Sequence, residues 1–174
     1  MNRFTTLLIY SLVLAIVAIV GVVVYVKTTG LDARQTPGAL ETSIARSLRR
    51  LAVPSELRGK ANPVPDTPEV LAKARADFAN HCAICHGNDG SGDTVMGRGL
   101  FPKAPDMRVA ATQELTDGEL LYIIEYGVRF SGMPGWGDGS PASEEVGWRL
   151  VRFVRHLPKL TPEEVSEMEE LNPK

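Results

Sequence analysis

The chain holds its two cysteines within four residues of each other, and a histidine follows the second one directly. The stretch FANHCAICHGNDGSGD, residues 78–93, contains Cys82, Cys85 and His86. No other cysteine occurs among the 174 residues. Any fold for this chain has to explain why both thiols and an imidazole are placed together.

The segment from Cys82 to His86 has the form C-x-x-C-H, which is the attachment signature of c-type haem. Two thiols three apart at a helix end can each reach one vinyl group of the porphyrin, and the next residue places an imidazole nitrogen under the iron. We therefore predict one covalently bound haem c, with Cys82 and Cys85 bonded to the porphyrin and His86 ligating the iron. There is no second C-x-x-C-H that would indicate a second haem.

Three other uses of the cysteine pair fit the sequence less well. A zinc site usually needs four ligands, and His81 is a poor fourth ligand because it neighbours Cys82 in the chain. A thioredoxin-like redox pair requires a βαβ setting, for which the sequence has no strand signal. A structural disulfide across four residues would be strained.

The iron needs a sixth ligand or must be left open. The sequence offers six side chains for this role, Met96, Met107, Met133, Met168, His81 and His156. Met133 is favoured because it lies in SGMPGWG, where glycine and proline let the backbone approach a flat ring and hold it there. His156 follows Arg155 near a helix end and is expected to be a surface or capping residue.

The N-terminus contains twenty consecutive uncharged residues, LLIYSLVLAIVAIVGVVVYV, at positions 7–26. At about 1.5 Å per residue, a helix of this length crosses a hydrocarbon layer of roughly 30 Å. A cleaved signal peptide is the alternative, but its apolar core is usually shorter, and no A-x-A pattern follows. We predict a membrane anchor that contacts lipid through residues 7–26.

Charge is distributed unevenly along the rest of the chain. Residues 27–65 carry seven Lys or Arg against three Asp or Glu, whereas residues 66–174 carry eleven against eighteen. An acidic domain on a basic tether gives no indication of nucleic-acid binding, which favours a basic domain. Within the tether, Leu40, Ile44, Leu48 and Leu51 recur at helical spacing with three arginines among them. Such a helix could bind a membrane surface or a partner, or could be an ordinary linker.

Helical patterns and capping residues predict an all-α, loop-rich domain. Thr67 can cap a first helix that runs into the cysteine motif, and Thr116 can cap LTDGELLYIIEYG, which ends at Gly127. Ser143 is expected to cap EEVGWRLVRFVRHL, and Thr161 a last acidic helix that contains Met168. The proline-rich KANPVPDTP, residues 60–68, is expected to be a stiff, extended spacer.

Residues 67–157 resemble a class I cytochrome c domain, of the bacterial type found as membrane-anchored monohaem proteins and as c-type subunits of respiratory enzymes. Besides C-x-x-C-H, the motifs APDM and GMPGW carry the resemblance. It implies a class I cytochrome c fold, with three to five helices around one covalent haem, after a single N-terminal transmembrane helix. The expected domains are an anchor at 1–27, a tether at 28–66, a cytochrome c domain at 67–160 and an acidic tail at 161–174.

The resemblance also assigns roles to individual residues. Phe78 takes the place of the aromatic residue that packs the N-terminal helix on the C-terminal helix, with Phe153 and Trp148 as its partners. Other positions face the haem. By the same resemblance, the Pro105 carbonyl accepts a hydrogen bond from the proximal imidazole, Met133 is the distal ligand, and Trp136 and Arg129 are neighbours of the haem propionates.

A tethered cytochrome of this kind implies single-electron transfer, as a carrier or as a subunit of a respiratory or dehydrogenase complex, rather than an enzyme in its own right. Its expected partners are redox proteins at the membrane. In the c-type systems haem is attached outside the cytoplasmic membrane, so the domain should face the periplasm of a bacterium. The alternative is a haem sensor or small-ligand binder with a labile sixth ligand.

Overall fold

A computed structural model of the protein describes residues 2–173. Within that range it contains helices and no strand, as the sequence predicts. It divides into two compact units, Met1–Asp32 and Ala33–Lys174. The helices are α1 (Arg3–Thr29), α2 (Ala39–Ala52), α3 (Ser55–Arg58), α4 (Pro68–His81), α5 (Ala83–His86), α6 (Val95–Arg98), α7 (Ala110–Gln113), α8 (Asp117–Tyr126), α9 (Pro141–His156) and α10 (Pro162–Leu171), with a 3-10 turn at Leu157–Lys159.

The first unit is the single apolar helix α1. Its mean hydropathy reaches 3.1, and none of its side chains is buried within the protein. Asn2 caps its first turn, and Gly30 ends it with a φ of 74°. By length and composition α1 is able to cross a membrane, a test that a signal sequence near an N-terminus also passes.

The core of the second unit lies where α4 crosses α9. Thr67 caps α4 and Pro68 is its first residue, as predicted. The rings of Phe78 and Phe153 pack with their centroids 5.0 Å apart, and Trp148 lies in the same buried cluster. The aromatic contact between these two helices, which the resemblance implied, is confirmed.

Helix α8 packs against the other side of α9. Thr116 and Glu119 form the predicted capping box, and the helix ends at Gly127. Gly147 of α9 allows the two helices to approach closely, because a Cβ atom there would lie 2.7 Å from Cδ1 of Leu121. The two closely packed helices flank the glycine-rich loop of residues 127–140, which joins them.

The N-terminus of α9 differs from the prediction. The helix begins at Pro141 and is capped by Ser140, so the expectation that Ser143 caps it is wrong. Ser143 instead lies inside the first turn, where its backbone N–H donates to the Ser140 hydroxyl at 3.1 Å. Proline at the first helical position has its φ already set for a helix, and the helix starts three residues earlier for that reason.

The segment before α4 packs on the domain. Val53 is only 3% exposed, and Leu57 and Val64 lie against the core cluster. The extended residues 60–67 run beside α9, where the Arg152 Nε donates to the Val64 carbonyl at 2.8 Å and the Asn62 amide donates to the Trp148 carbonyl at 2.9 Å. An extended, proline-rich backbone cannot pair its carbonyls within itself, and the Arg152 guanidinium satisfies two of them, those of Val64 and Asn62.

The acidic C-terminal helix also packs on the domain. Thr161 caps α10 as predicted, and Met168 is completely buried among the core residues. Arg75 of α4 forms ion pairs with Glu164 and Glu167. Glu164 also contacts His156 Nε2 at 3.1 Å, so this histidine lies against α10.

Candidate haem site

The cysteine motif occupies the turn that follows α4. Cys82 ends α4, with its N–H donating to the Phe78 carbonyl at 2.8 Å, and it also precedes the short helix α5. The His86 N–H then donates to the Cys82 carbonyl at 2.9 Å. Because Phe78 is fixed in the core, these backbone bonds hold the thiols and the imidazole at a defined place on the domain.

Both cysteines are free thiols and both are partly buried. Burial, followed by the nearby Asp77 carboxylate and Cys85, raises the pKa of Cys82 to about 12, and burial raises the pKa of Cys85 as well. Both thiols are therefore protonated at neutral pH. Among residues 2–173 there is also no group of three or more His, Cys, Asp or Glu side chains placed to hold a metal ion.

The environment of the His86 side chain differs from that of the two thiols. Its Nδ1 is buried without a hydrogen-bond partner, although the Pro105 carbonyl lies close to the ring. Burial lowers the pKa of His86, and the Pro105 carbonyl opposes that change by raising it. A neutral imidazole at pH 7 is the form that ligates a metal. The carbonyl is placed to orient the ring, although its geometry falls short of a hydrogen bond.

The first loop, residues 87–109, wraps back onto the motif. Thr94 donates its hydroxyl proton to the carbonyls of Ile84 and Cys85, at 2.8 and 3.1 Å. The Gly92 N–H donates to the His86 carbonyl at 2.7 Å. These contacts fold the loop over the motif, and a Cβ atom on Gly97 would collide with the Cys85 carbonyl.

Glycine at position 92 is required by the close approach of Pro105. A Cβ atom on Gly92 would collide with the Ala104 carbonyl and would lie 2.9 Å from the Pro105 carbonyl. Its φ of +73° also belongs to the left-handed region that side chains disfavour. The same loop therefore closes on His86 from both ends, and this is how Pro105 comes to lie beside the imidazole.

The second loop, residues 127–140, carries Met133 and is attached to the end of α8. The Val128 N–H donates to the Met133 carbonyl at 3.1 Å, and the Met133 N–H donates to the Ser131 hydroxyl at 3.2 Å. The Trp136 N–H donates to the Ile124 carbonyl at 2.9 Å. A Cβ atom on Gly127 would lie 2.6 Å from the Met133 carbonyl, so glycine is needed where the loop doubles back. Met133 itself is partly buried.

The two loops meet at Leu100. A Cβ atom on Gly132, next to Met133, would lie 2.5 Å from Leu100 Cδ2. Leu100 follows α6, whose Gly97 packs directly on the Cys85 carbonyl. The methionine loop and the cysteine motif are therefore linked through the segment that joins Gly97 to Leu100. The assignment of Met133 as the iron ligand stays a prediction.

Two further residues that the resemblance assigned to the site lie at its edge. Trp136 is 45% exposed and its ring centroid is 5.3 Å from that of His81, at the end of α4. Arg129 is exposed and precedes Phe130, a non-glycine residue with a φ of 60°. Their roles beside haem propionates stay predictions too.

The donor set and its surroundings fit a c-type haem. Two protonated thiols would form the thioether bonds, and a neutral imidazole whose Nδ1 faces the Pro105 carbonyl would ligate iron through its other nitrogen. Apolar side chains beside them are exposed, Ile84 by 67% and Val95 by 85%, although apolar residues favour burial. A large, flat, apolar group bound there would cover them.

Residues that shape the site, but were not identified from the sequence, are mostly glycines and small polar residues. Gly92, Gly97 and Thr94 hold the first loop on the motif, and Leu100 joins the loops. The sequence signal was the repeated glycine in GNDGSGDTVMGRG. Glycines at such short intervals mark close backbone contacts, but they do not say which atoms come close.

Comparison with known proteins agrees with this geometry. Residues 69–154 match the protein family described as "Cytochrome C oxidase, cbb3-type, subunit III". The chain is also similar to Thiosulfate dehydrogenase of Stutzerimonas stutzeri (strain A1501), with 28% identity over 104 residues, which are 57% of this chain and 32% of that protein. The match thus spans about a third of the length of this relative. C-terminal to its apolar helix in the sequence, the chain carries a c-type cytochrome domain, the electron-transfer domain that binds haem c.

Proposed function

We propose that this protein is a membrane-tethered monohaem cytochrome that transfers single electrons, with no substrate chemistry of its own. Cys82 and Cys85 bind one haem c, and His86 and Met133 ligate its iron. The observation that carries the proposal is the buried His86 imidazole, whose Nδ1 lacks a partner while the Pro105 carbonyl lies beside it. An imidazole that binds iron through its other nitrogen needs an acceptor beside Nδ1–H, and the Pro105 carbonyl is placed to serve as one.

The haem, when bound, supplies an iron that takes up and releases one electron. The chain contributes axial ligands, orientation and exclusion of water. A thioether from Met133 raises the reduction potential relative to harder ligands, which suits an electron carrier. The Pro105 carbonyl would accept a hydrogen bond from the Nδ1–H and fix the ring, while Trp136 and Arg129 would lie beside the propionates.

The anchor and the sidedness belong to the same proposal. Helix α1 is long and apolar enough to stay in the membrane, which a hydropathy of 3.1 supports. Haem attachment outside the cytoplasmic membrane would place the domain in the periplasm of a bacterium. A domain held at the membrane meets membrane partners at high effective concentration.

The redox partners are proteins at the same membrane. The matching family is named for a subunit of an oxidase, and the relative is named for a dehydrogenase, so both names belong to proteins that move electrons. We propose that this chain supplies the electron-transfer part of such a reaction, as a free carrier or as a subunit. Residues 66–174 have a net charge of −7, which favours a basic docking surface and association that weakens with salt.

The test is carbon monoxide binding to the purified, reduced full-length protein, combined with a redox titration. We expect one haem per chain, a one-electron titration curve, and no change of the visible spectrum under saturating gas. Stoichiometric gas binding would contradict a closed iron site and would favour the sensor alternative. Turnover of thiosulfate by the protein alone would contradict the absence of substrate chemistry.

Purification in mild detergent distinguishes a free electron carrier from a subunit of a complex. A single chain that exchanges electrons with added partners supports a carrier. Stoichiometric subunits that remain with the chain support a component of a complex.

A further inference from the structure

Helix α2 carries an apolar face that no part of its own unit covers, within the residues the structure describes. Four aliphatic side chains, Leu40, Ile44, Leu48 and Leu51, are between 51% and 79% exposed. At 3.6 residues per turn they fall within a sector of about 80° on one side of the helix. Four large apolar side chains in one row form an exposed patch of the kind that binds a protein or a membrane.

The opposite face of α2 is the one that meets the domain. Thr42, Arg46 and Arg49 line a groove whose other wall is Ala111, Glu114 and Leu115. Arg49 is partly buried, and burial and the neighbouring Arg46 lower its pKa, against the opposing effect of the Glu119 carboxylate. The arginines of this helix therefore lie on the side of the groove, and the aliphatic row lies on the other side.

The C-terminal end of α2 is fixed to the domain, so the orientation of the row is set. Arg58 donates to the Val53 carbonyl at 3.2 Å and to the Arg50 carbonyl. The Leu57 carbonyl packs directly on Gly118 at the start of α8, where any Cβ atom would collide with it. The C-terminal end of α2 is thus attached to the second unit, and the apolar row of the helix is exposed.

We propose that the aliphatic row of α2 inserts into the outer surface of the lipid bilayer and fixes the orientation of the cytochrome domain. The inference rests on the proposed membrane anchor. Only nine residues, 30–38, separate α1 from α2. Fully extended they reach about 30 Å, so the row starts within reach of the bilayer that α1 would cross.

Composition favours lipid over a protein as the occupant. Protein interfaces are enriched in aromatic anchors at their centres, and this row consists of leucine and isoleucine alone. Residues 27–65 have a net charge of +4 beside a domain of −7. An anionic membrane would attract this segment through its net charge, while the contact itself would be made by the aliphatic row, because the arginines of α2 face the domain.

Docking through α2 changes what the tether does. A flexible chain of forty residues would let the domain rotate freely above the membrane. Two attachments, α1 in the bilayer and α2 on its surface, would restrict rotation and present one fixed side of the domain to membrane partners. The site that transfers electrons would then be held at a constant orientation.

The test uses the full-length holoprotein in nanodiscs of phosphatidylcholine and phosphatidylglycerol. A nitroxide is attached to Ile44→Cys or Leu48→Cys, with Leu171→Cys, an exposed leucine of α10, as the aqueous control and Ile16→Cys as the control within α1. Cys82 and Cys85 are consumed by haem attachment, so only the new thiol is labelled. A c-type spectrum shows that each variant is folded.

We expect the ratio of oxygen to nickel-chelate collision rates to be at least tenfold higher at positions 44 and 48 than at 171. If 44 and 48 match 171 while 16 lies in lipid, docking is overturned and the anchor stands. If both reagents are excluded from 44 and 48, a protein covers the row and the lipid proposal is wrong. A label at 16 outside lipid, or its loss with a cleaved N-terminus, overturns the anchor and the docking together.

Discussion

Phe78 of α4 and Phe153 of α9 pack ring against ring, with centroids 5.0 Å apart and planes tilted by 52°. Each is at most 2% exposed. This contact joins the helix that leads into the cysteine motif to the helix that supports the second loop. The position of the candidate haem site therefore depends on a contact outside it.

Removal of one ring should destabilise the domain. We expect Phe153→Ala to lower the free energy of unfolding of the holoprotein by about 3–5 kcal/mol, the usual cost of truncating a buried aromatic residue. Phe130→Ala is the matched control, because Phe130 is 93% exposed and its truncation should change stability by less than about 0.5 kcal/mol. Denaturant titration measures both. Equal losses would contradict the assignment of Phe153 to the core.

Loss of the Met133 thioether should open the iron. In Met133→Ala we expect the reduced protein to bind carbon monoxide stoichiometrically, and its reduction potential to fall, because a soft ligand that favours the reduced state is gone. Met96→Ala is the control, since Met96 is half exposed in the first loop. If the Met96 variant bound carbon monoxide and the Met133 variant did not, Met96 would be the sixth ligand and the assignment of Met133 would be wrong.

Substitutions of two glycines with similar backbone angles can distinguish the cost of backbone strain from the cost of disrupted packing. Gly92 has a φ of +73° and Gly139 a φ of +82°, but only Gly92 has atoms within contact distance of an added Cβ. Gly139→Ala should cost about 1–2 kcal/mol, the strain of a left-handed alanine. Gly92→Ala should cost more, because it also displaces the Pro105 carbonyl from His86, and should reduce the yield of holoprotein.

Thermal unfolding of both glycine variants measures the difference. If Gly139→Ala were as destabilising as Gly92→Ala, strain alone would account for both. The close approach of the first loop would then contribute nothing to stability.

The contact between residue 60 and α9 can be tested through a carboxylate. The Lys60 ammonium, 2.8 Å from Glu144, and then the Trp148 indole N–H, hold the pKa of Glu144 below its usual range. A lowered pKa in the folded state stabilises the protein above the ordinary carboxyl pKa, and the effect is lost as the pH falls through the folded value. Lys60→Met should therefore raise the pKa of Glu144 and remove part of that stabilisation at neutral pH.

The effect on stability should be small, below about 1 kcal/mol, because both side chains are nearly half exposed. A titration of the Glu144 carboxyl signal by NMR measures the pKa directly. Lys103→Met, in the first loop, is the control and should leave the signal unchanged. An unchanged pKa in Lys60→Met would mean that the segment before α4 is not held against α9 in solution.

Much of this protein follows from local sequence. C-x-x-C-H indicates covalent haem because the chemistry requires two thiols and an imidazole at fixed spacing, all supplied by one turn of chain. Thr67, Thr116 and Thr161 cap the helices they were expected to cap, since a cap depends only on residues three positions away. The length and hydropathy of α1 are likewise properties of one continuous segment.

Other features depend on tertiary contacts between residues far apart in the chain. Pro105 can lie beside His86 because Gly92 has no side chain to collide with the Ala104 and Pro105 carbonyls, and Met133 is placed by backbone bonds to the end of α8. The direction of the apolar row on α2 depends on the groove lined by Arg49 and Glu114. Periodicity shows that a helix has two faces, but only the packing of the folded chain decides which face meets the domain and which is left for another surface.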